Sequence, residues 1–272
     1  MLVSSATAFA DRNRYVGDVP GVPVRQLTSK GFAGERSCLF NPAKAQPRPI
    51  PFGSPDGSYT TCAQGATAQA EPREGLSTTH LVTADKWGNV ASYTLTIEQT
   101  GGSGITVPGW GFLLNNELTD FDFVPLTKGV PDPNLPGPGK RPRSSMSPTV
   151  VVKDDRPWMT LGSPGGATII TSVAQTLLGY VDRGLSLKDA IAAPRLSSRN
   201  GKAEDAEPAL LGSSVGTALK AKGHVLAAPT AVPPEIGAVT AIRTYSPHAF
   251  QAAAEPVRRG GGSAMVVHRS DH

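Results

Sequence analysis

The stretch STTHLVTADKWGNVASYTLTIEQ, residues 77–99, decides how this chain is read. Residues 79–85 and 89–98 are rich in β-branched and aromatic types, and Lys86-Trp87-Gly88 supplies a turn whose glycine can take positive φ. The pair predicts a β-hairpin. Thr78 opens its first strand and Thr94 and Thr96 stand near the far end of the second, so the antiparallel return brings a second hydroxyl beside that of Thr78. A threonine hydroxyl is a poor nucleophile until a base takes its proton, and one solution uses the threonine's own α-amine. That amine is freed only if the chain is cut between Ser77 and Thr78. The cut would need attack of the Thr78 hydroxyl on the Ser77 carbonyl, an N-to-O acyl shift and hydrolysis of the ester. Two threonines in a strand are ordinary by themselves, and the chemical reading needs further residues.

Downstream, Gln99-Thr-Gly-Gly-Ser-Gly (99–104) is a glycine loop without the GK[ST] ending of a phosphate site. Phe112 to Asn116 reads as a short buried strand ending in Asn115, Asn116, Glu117 and Asp120, which taken alone is a solvated turn. Residues 122–143 form a loop in which Pro131, Pro133, Pro136 and Pro138 preclude regular structure. After the Ser144-Ser145-Met146-Ser147-Pro148 turn, strands Thr149–Lys153 and Trp158–Leu161 predict a second hairpin. Gly162-Ser-Pro-Gly-Gly then opens a helix in which Ile169, Ile170, Val173, Leu177 and Val181 recur at helical spacing to an end near Gly184. Adjacent glycines at a helix start expose N–H groups where the dipole is positive, which suits an anion. Ser186 to Asp189 resembles a capping box for a short helix ended by Pro194, and another helix runs from Ser213 to Lys222, stopped by Gly223. Val239–Thr244 and Ser263–Val267 read as closing strands. His80 is expected to pack or hydrogen-bond rather than act as a base, and His224, His248, His268 and His272 stand isolated.

Upstream, residues 28–41 predict a short helix with Thr28 or Ser29 as N-cap and Phe32, Cys38 and Leu39 as apolar contacts. Pro42 to Leu76 is rich in Pro, Gly, Ser and Ala without periodicity and reads as a flexible linker ahead of Thr78. The 272 residues, 39% hydrophobic and 18% charged, suffice for a globular core in one large or two small domains. A net charge of +4 is dispersed with no basic run interleaved with aromatics, which argues against nucleic-acid binding. Cys38 and Cys62 form no CxxC pair and have no neighbouring His, so neither a metal site nor a disulfide framework is implied. No run approaches the ~18–20 apolar residues of a membrane span. The first residues lack a basic n-region and a continuous apolar core, so no signal peptide is read, and the compartment stays open.

Four segments stand in the order of a known family: TTHLVTADKWGNVASYTLT (78–96), GFLLNNELTDF (111–121), GKRPRSSMSPTVV (139–151) and GSPGGATII (162–170). They resemble the gamma-glutamyltranspeptidases, threonine-type N-terminal-nucleophile hydrolases. The likeness covers the family's small subunit from Thr78 to about Val267 and, more weakly, the tail of the large subunit before it. The resemblance divides the chain into 1–77, a large-subunit remnant with the linker to the cleavage site, and 78–272, the catalytic small subunit. Residues 1–18 resemble a late helix and loop of the large subunit, which places Met1 inside a domain, as an internal start, a split gene or a truncation would.

The fold so implied is α+β, the four-layer αββα sandwich of N-terminal-nucleophile hydrolases, incomplete at its N-terminal side. The implied activity is that of a gamma-glutamyltransferase or glutathione hydrolase acting on glutathione or another γ-glutamyl compound, with water or an acceptor amine releasing the glutamyl group. By resemblance Thr78 is the nucleophile, Thr96 orients its hydroxyl, and Gly165 and Gly166 hold the oxyanion. Glu117 and Asp120 accept from the substrate ammonium, while Ser144 and Ser145 bind its carboxylate. Glu98 stands where many members have an Asn on the amino-acid head of the substrate. No cofactor or metal is called for, because nucleophile, base and oxyanion donors suffice to open an amide. Many relatives carry a tyrosine-bearing lid after the acidic pair. This chain has no tyrosine between Tyr93 and Tyr180, so a shortened lid that favours hydrolysis over transfer is expected. The family's arginine for the substrate carboxylate lies early in the large subunit, which makes that portion an expected partner. Two alternatives remain: a glutaryl-type acylase of the same family, and an inactive truncated chain that needs a separate large-subunit partner.

Overall fold

The computed structural model describes residues 1–60, 77–246 and 248–267. In chain order the elements are α1 (Leu2–Tyr15), α2 (Val24–Leu27), α3 (Lys30–Ser37), β1 (Thr78–Ala84), β2 (Val90–Thr96), a 3₁₀ turn at Glu117–Asp120, β3 (Thr149–Lys153) and β4 (Arg156–Gly162). There follow α4 (Thr168–Val181), α5 (Leu187–Ala192), β5 (Leu196–Ser197), β6 (Glu204–Ala206), α6 (Pro208–Leu211), α7 (Ser214–Ala221), β7 (Leu226–Ala227), β8 (Thr240–Ser246) and β9 (Ala249–Ala254). The fold is α+β. The elements fall into two compact units, and the described residues of the first lie within 1–60, 97–144 and 194–234, those of the second within 77–96, 145–193 and 235–267.

The second unit is layered. Its four-stranded sheet runs β3-β4-β8-β9 with every neighbouring pair antiparallel. Alternation along β4 turns Met159 and Leu161 to one face, where with Val239 and Ala241 they bury against Ile169 and Val173 of α4 and Leu187 and Ile191 of α5. The other face of β4, carrying Thr160 and Gly162, receives the β1-β2 hairpin, whose His80 ring lies against Gly162. Sheet, sheet and helices therefore follow one another within this unit, as three of the four layers of an αββα sandwich.

Local sequence explains most of these elements. Gly88 takes φ +90 in the turn between β1 and β2. Asp154 and Asp155 both take positive φ, +53 and +59, in the two-residue turn between β3 and β4. Ser186 caps α5 by accepting from the Asp189 N–H, and Ser213 caps α7 through Gly216. Of the two candidate caps at α3, Ser29 accepts from Phe32 N–H, while the Thr28 hydroxyl donates back to the Val24 carbonyl.

The first unit carries α1, α2, α3, α6, α7 and the small sheet β5-β6-β7. Two expectations are corrected here. Residues 42–60 are anchored rather than a free linker: Ile50 is 1% exposed and its N–H and C=O both pair with the Asn200 side chain, at 2.7 and 2.9 Å. Arg48 adds an ion pair to buried Glu204 at 2.7 Å. Residues 61–76, the remainder of the expected linker, and Cys62 lie outside the described residues. Nor do Phe112 to Asn116 form a buried strand, since only Leu113 bridges, to Thr106, and Phe112 is 54% exposed.

Two further differences complete the comparison. Cys38, which implied nothing by spacing, is disulfide-bonded. In the second unit Ser263–Val267 is exposed and outside any strand, and the edge position beside β8 is taken by β9.

Candidate active site

Pairing of β1 with β2 sets Thr78 opposite Thr96, His80 opposite Thr94 and Val82 opposite Ser92. Period-two alternation puts these six side chains on one face of the hairpin, and they are the less exposed positions of both strands. At the end of this row the Thr78 hydroxyl donates to Thr96 Oγ1 at 3.3 Å, and the Thr96 hydroxyl donates to the Ser77 carbonyl at 2.7 Å. One hydroxyl thus touches both the candidate nucleophile and the carbonyl of the candidate scissile bond.

His80 sits two residues further in, buried, with Nδ1 2.7 Å from Thr94 Oγ1 and Nε2 3.4 Å from Ser92 Oγ. The Ser92 hydroxyl donates to the Leu161 carbonyl at 3.1 Å, so toward the ring it accepts. This network assigns the proton to Nε2 and leaves Nδ1 to accept from Thr94. Burial pushes the imidazole pKa down from 6.5 to about 4, in keeping with a neutral ring.

Gly165 and Gly166 are buried at the approach to α4 with φ +138 and +54. Side chains on both flanks hold them. Ser163 Oγ donates to the Pro164 carbonyl at 2.7 Å and accepts from Ala238 N–H at 2.9 Å, while Thr168 Oγ1 donates to the Gly165 carbonyl at 2.8 Å. A Cβ on Gly165 would lie 2.6 Å from Thr168 Oγ1, which explains the glycine. Ser145 is buried in the same unit, and its carbonyl accepts from the Ser147 hydroxyl at 3.0 Å.

The remaining candidates lie in the first unit. Glu98 is buried with φ +75, a region costly for a residue with a Cβ, and its carboxylate accepts from the Asn116 side-chain amide. Asn116 Oδ1 in turn accepts from Gln99 N–H at 3.2 Å, so Asn116 ties the chain after β2 to the acidic turn. Glu117 and Asp120 begin and end the 3₁₀ turn, with Asn115 Oδ1 accepting from Glu117 N–H at 3.0 Å. Ser144 is exposed. The structure brings Ser77, Thr78 and Thr96 together in one unit, and Glu98, Asn116, Glu117 and Asp120 are neighbours in the other. Sequence reasoning did not assign roles to Ser92, Gly162, Ser163, Thr168 or Asn116. Of these, Ser92 had a readable signal, since strand alternation sets it on the same face of β2 as Thr94 and Thr96.

Among the described residues no group of three or more His, Cys, Asp or Glu could hold a metal ion. No helix there is long and apolar enough to cross a membrane.

The sequence profile of the gamma-glutamyltranspeptidase family matches residues 2–265. The chain belongs to this family. It is 38% identical over 270 residues to the glutathione hydrolase proenzyme of Bacillus subtilis strain 168, covering 96% of this chain and 44% of that protein. The chain thus spans about 44% of the length of that curated relative. A solved gamma-glutamyltranspeptidase from Pseudomonas nitroreducens, complexed with L-DON, is similar at a TM-score of 0.62 and 37% identity, over 70% of this chain and 100% of that one. A cephalosporin acylase from Bacillus halodurans matches with a TM-score of 0.76 and 27% identity, over 98% of this chain and 44% of its own.

Proposed function

We propose that this chain carries the catalytic part of a gamma-glutamyltransferase or glutathione hydrolase whose nucleophile is Thr78, freed by self-cutting between Ser77 and Thr78. The observation that carries this reading is the Thr78–Thr96–Ser77 relay, in which the Thr96 hydroxyl polarises the Ser77 carbonyl while accepting from the Thr78 hydroxyl. Attack of Thr78 Oγ1 on that carbonyl carbon forms an ester and breaks the C–N bond, with the hydroxyl proton passing to the departing nitrogen. Water then hydrolyses the ester and leaves Thr78 with a free α-amine. In turnover that amine takes the hydroxyl proton, the γ-glutamyl carbonyl is attacked, and the amine gives the proton to the leaving amine. The peptide N–H groups of Gly165 and Gly166 hold the oxyanion, a contribution of ~10²–10³ per donor in rate.

Glu117 and Asp120 are assigned to the substrate ammonium, Ser144 and Ser145 to its carboxylate, and Glu98 to the amino-acid head as a carboxylate in place of an amide. The proposed boundary lies at the cut, with 1–77 as large-subunit remnant and 78–272 as small subunit. The proposed partners are glutathione or another γ-glutamyl compound, water or an acceptor amine, and the remaining large-subunit portion with its carboxylate-binding arginine. Hydrolysis outruns transfer, because the loop at 122–143 carries no tyrosine to close over an acyl-enzyme.

A glutaryl-type acylase is the second reading, favoured by the likeness to a cephalosporin acylase over nearly the whole chain. Two measurements test the assignment. Intact mass after incubation should give two fragments, one beginning Thr-Thr-His-Leu, and Thr78→Ala should give one uncut chain without hydrolase activity. Normal cutting of Thr78→Ala would remove Thr78 from the role. Comparing γ-glutamyl-p-nitroanilide with glutaryl-p-nitroanilide separates the two substrate classes, since the acidic pair should reject a substrate without the ammonium.

A further inference from the structure

We propose that His80 is a positioning residue that sets the nucleophile strand against the oxyanion strand. Its ring is bonded to Thr94 and Ser92 on β2 and seated on Gly162 of β4, and this fixes Thr78 relative to Gly165 and Gly166. The inference deepens the reading above and rests on it for the roles of Thr78 and the two glycines.

The nucleophile and the oxyanion donors come from different sheets, and apolar packing between sheets is non-directional and tolerates sliding. Something must set the offset. His80 lies two residues, about 7 Å, along β1 from Thr78 and on the same face. Gly162 lies three residues before Gly165, at the end of β4. A Cβ at Gly162 would approach His80 Cε1 to 2.2 Å and Nε2 to 2.4 Å, so only glycine lets the ring reach the β4 backbone. Ser92 completes the tie by accepting from His80 Nε2 and donating to the Leu161 carbonyl, one residue before Gly162. The ring therefore stands on the backbone that leads into the oxyanion loop, and hydrogen bonds prevent it from rotating away.

A displacement of ~1 Å at the reacting atoms costs about 10²-fold in rate. The test uses the full chain with His80→Ala, His80→Asn, Gly162→Ala and the His80→Ala/Gly162→Ala pair. It reads the rate of Ser77–Thr78 cutting, kcat and KM for γ-glutamyl-p-nitroanilide, and the ¹⁵N amide shifts of Gly165 and Gly166. His80→Ala is expected to lower cutting and kcat about 10²-fold with KM unchanged. His80→Asn, whose side-chain oxygen can accept from the Thr94 hydroxyl as Nδ1 does, should recover about a factor of ten. Gly162→Ala should reproduce the loss by expelling the ring. The double variant should lose no more than either single one, since the partners act as one unit.

The Gly165 and Gly166 amide shifts should move in His80→Ala whether or not the chain cuts itself, and that arm does not depend on Thr78 being the nucleophile. Unmoved shifts overturn the proposal, as do wild-type rates in His80→Ala, or a loss confined to KM. Cutting that persists in Thr78→Ala overturns the nucleophile assignment instead, and the two failures are told apart.

Discussion

Thr96 is asked to do two things with one hydroxyl, and the order of events depends on it. In the uncut chain its proton is committed to the Ser77 carbonyl at 2.7 Å and its lone pair to the Thr78 hydroxyl at 3.3 Å. Thr96→Ala removes both contacts, and the expected outcome is self-cutting slowed about 10- to 100-fold, the effect of one or two transition-state hydrogen bonds. Thr96→Ser should cut near the wild-type rate, and gel densitometry over time measures both. His80 makes a prediction in pH. Its folded pKa of about 4 lies below the ordinary 6.5, so the folded ring resists a proton that the unfolded ring accepts. Its contribution to stability is complete above pH 6.5 and is lost as pH falls from there toward 4. Urea midpoints across that window should fall more steeply in the wild type than in His80→Asn, and equal slopes would contradict a ring buried neutral. At this scale the hairpin turn at Lys86-Trp87-Gly88 showed that a hydroxyl of Thr94 or Thr96 returns beside Thr78, and the family resemblance singled out Thr96, which the register pairs with Thr78. Gly162 was not, since its reason is a histidine more than eighty positions earlier in the chain.

Among elements, the β3–β4 hairpin is legible as a pair of strands, but β4 begins at Arg156, two residues before the expected Trp158, so the turn is tighter than expected. Lys153 pairs with Arg156 and leaves Asp154 and Asp155 alone in the left-handed region, at φ +53 and +59. Asn-Gly is the preferred occupant of such a turn, so Asp154→Asn with Asp155→Gly should raise the chain's unfolding free energy by about 0.5–1 kcal/mol. A denaturant midpoint that does not rise would show that these aspartates have partners worth keeping. Capped helices were equally readable, since Ser29, Ser186 and Ser213 announce their starts in one dimension. Failures came where burial decides. The β9 strand, AFQAAA, has poor intrinsic strand propensity and exists because β8 offers it an edge, whereas Ser263–Val267 has the right composition but pairs with no strand. Residues 42–60 read as linker by composition, yet Ile50 and Arg48 are held by Asn200 and Glu204, partners about 150 residues away.

For the whole molecule, family likeness foretold the αββα order, and the second unit supplies the β, β and α layers from residues whose periodicity is visible along the chain. The division into two units was not legible, because each is assembled from three separated segments. That division carries a prediction. Every group assigned to self-cutting, Ser77, Thr78, Thr96, Gly165 and Gly166, falls in the second unit, whereas the proposed ammonium acceptors Glu117 and Asp120 fall in the first. Cutting handles a peptide bond of the chain itself and presents no free ammonium to be recognised. Glu117→Gln with Asp120→Asn should therefore leave the rate of cutting within about twofold, and that rate should not depend on protein concentration. The same pair should raise KM for γ-glutamyl-p-nitroanilide by about 10²-fold or more, since hydrogen bonds to a charged group contribute roughly 1.5–3 kcal/mol each. Discrimination against the glutaryl analogue should shrink in parallel, because the rejected substrate differs only in the ammonium these carboxylates accept. If cutting falls together with turnover, the acidic turn maintains the fold instead of reading the substrate, and the acylase reading gains.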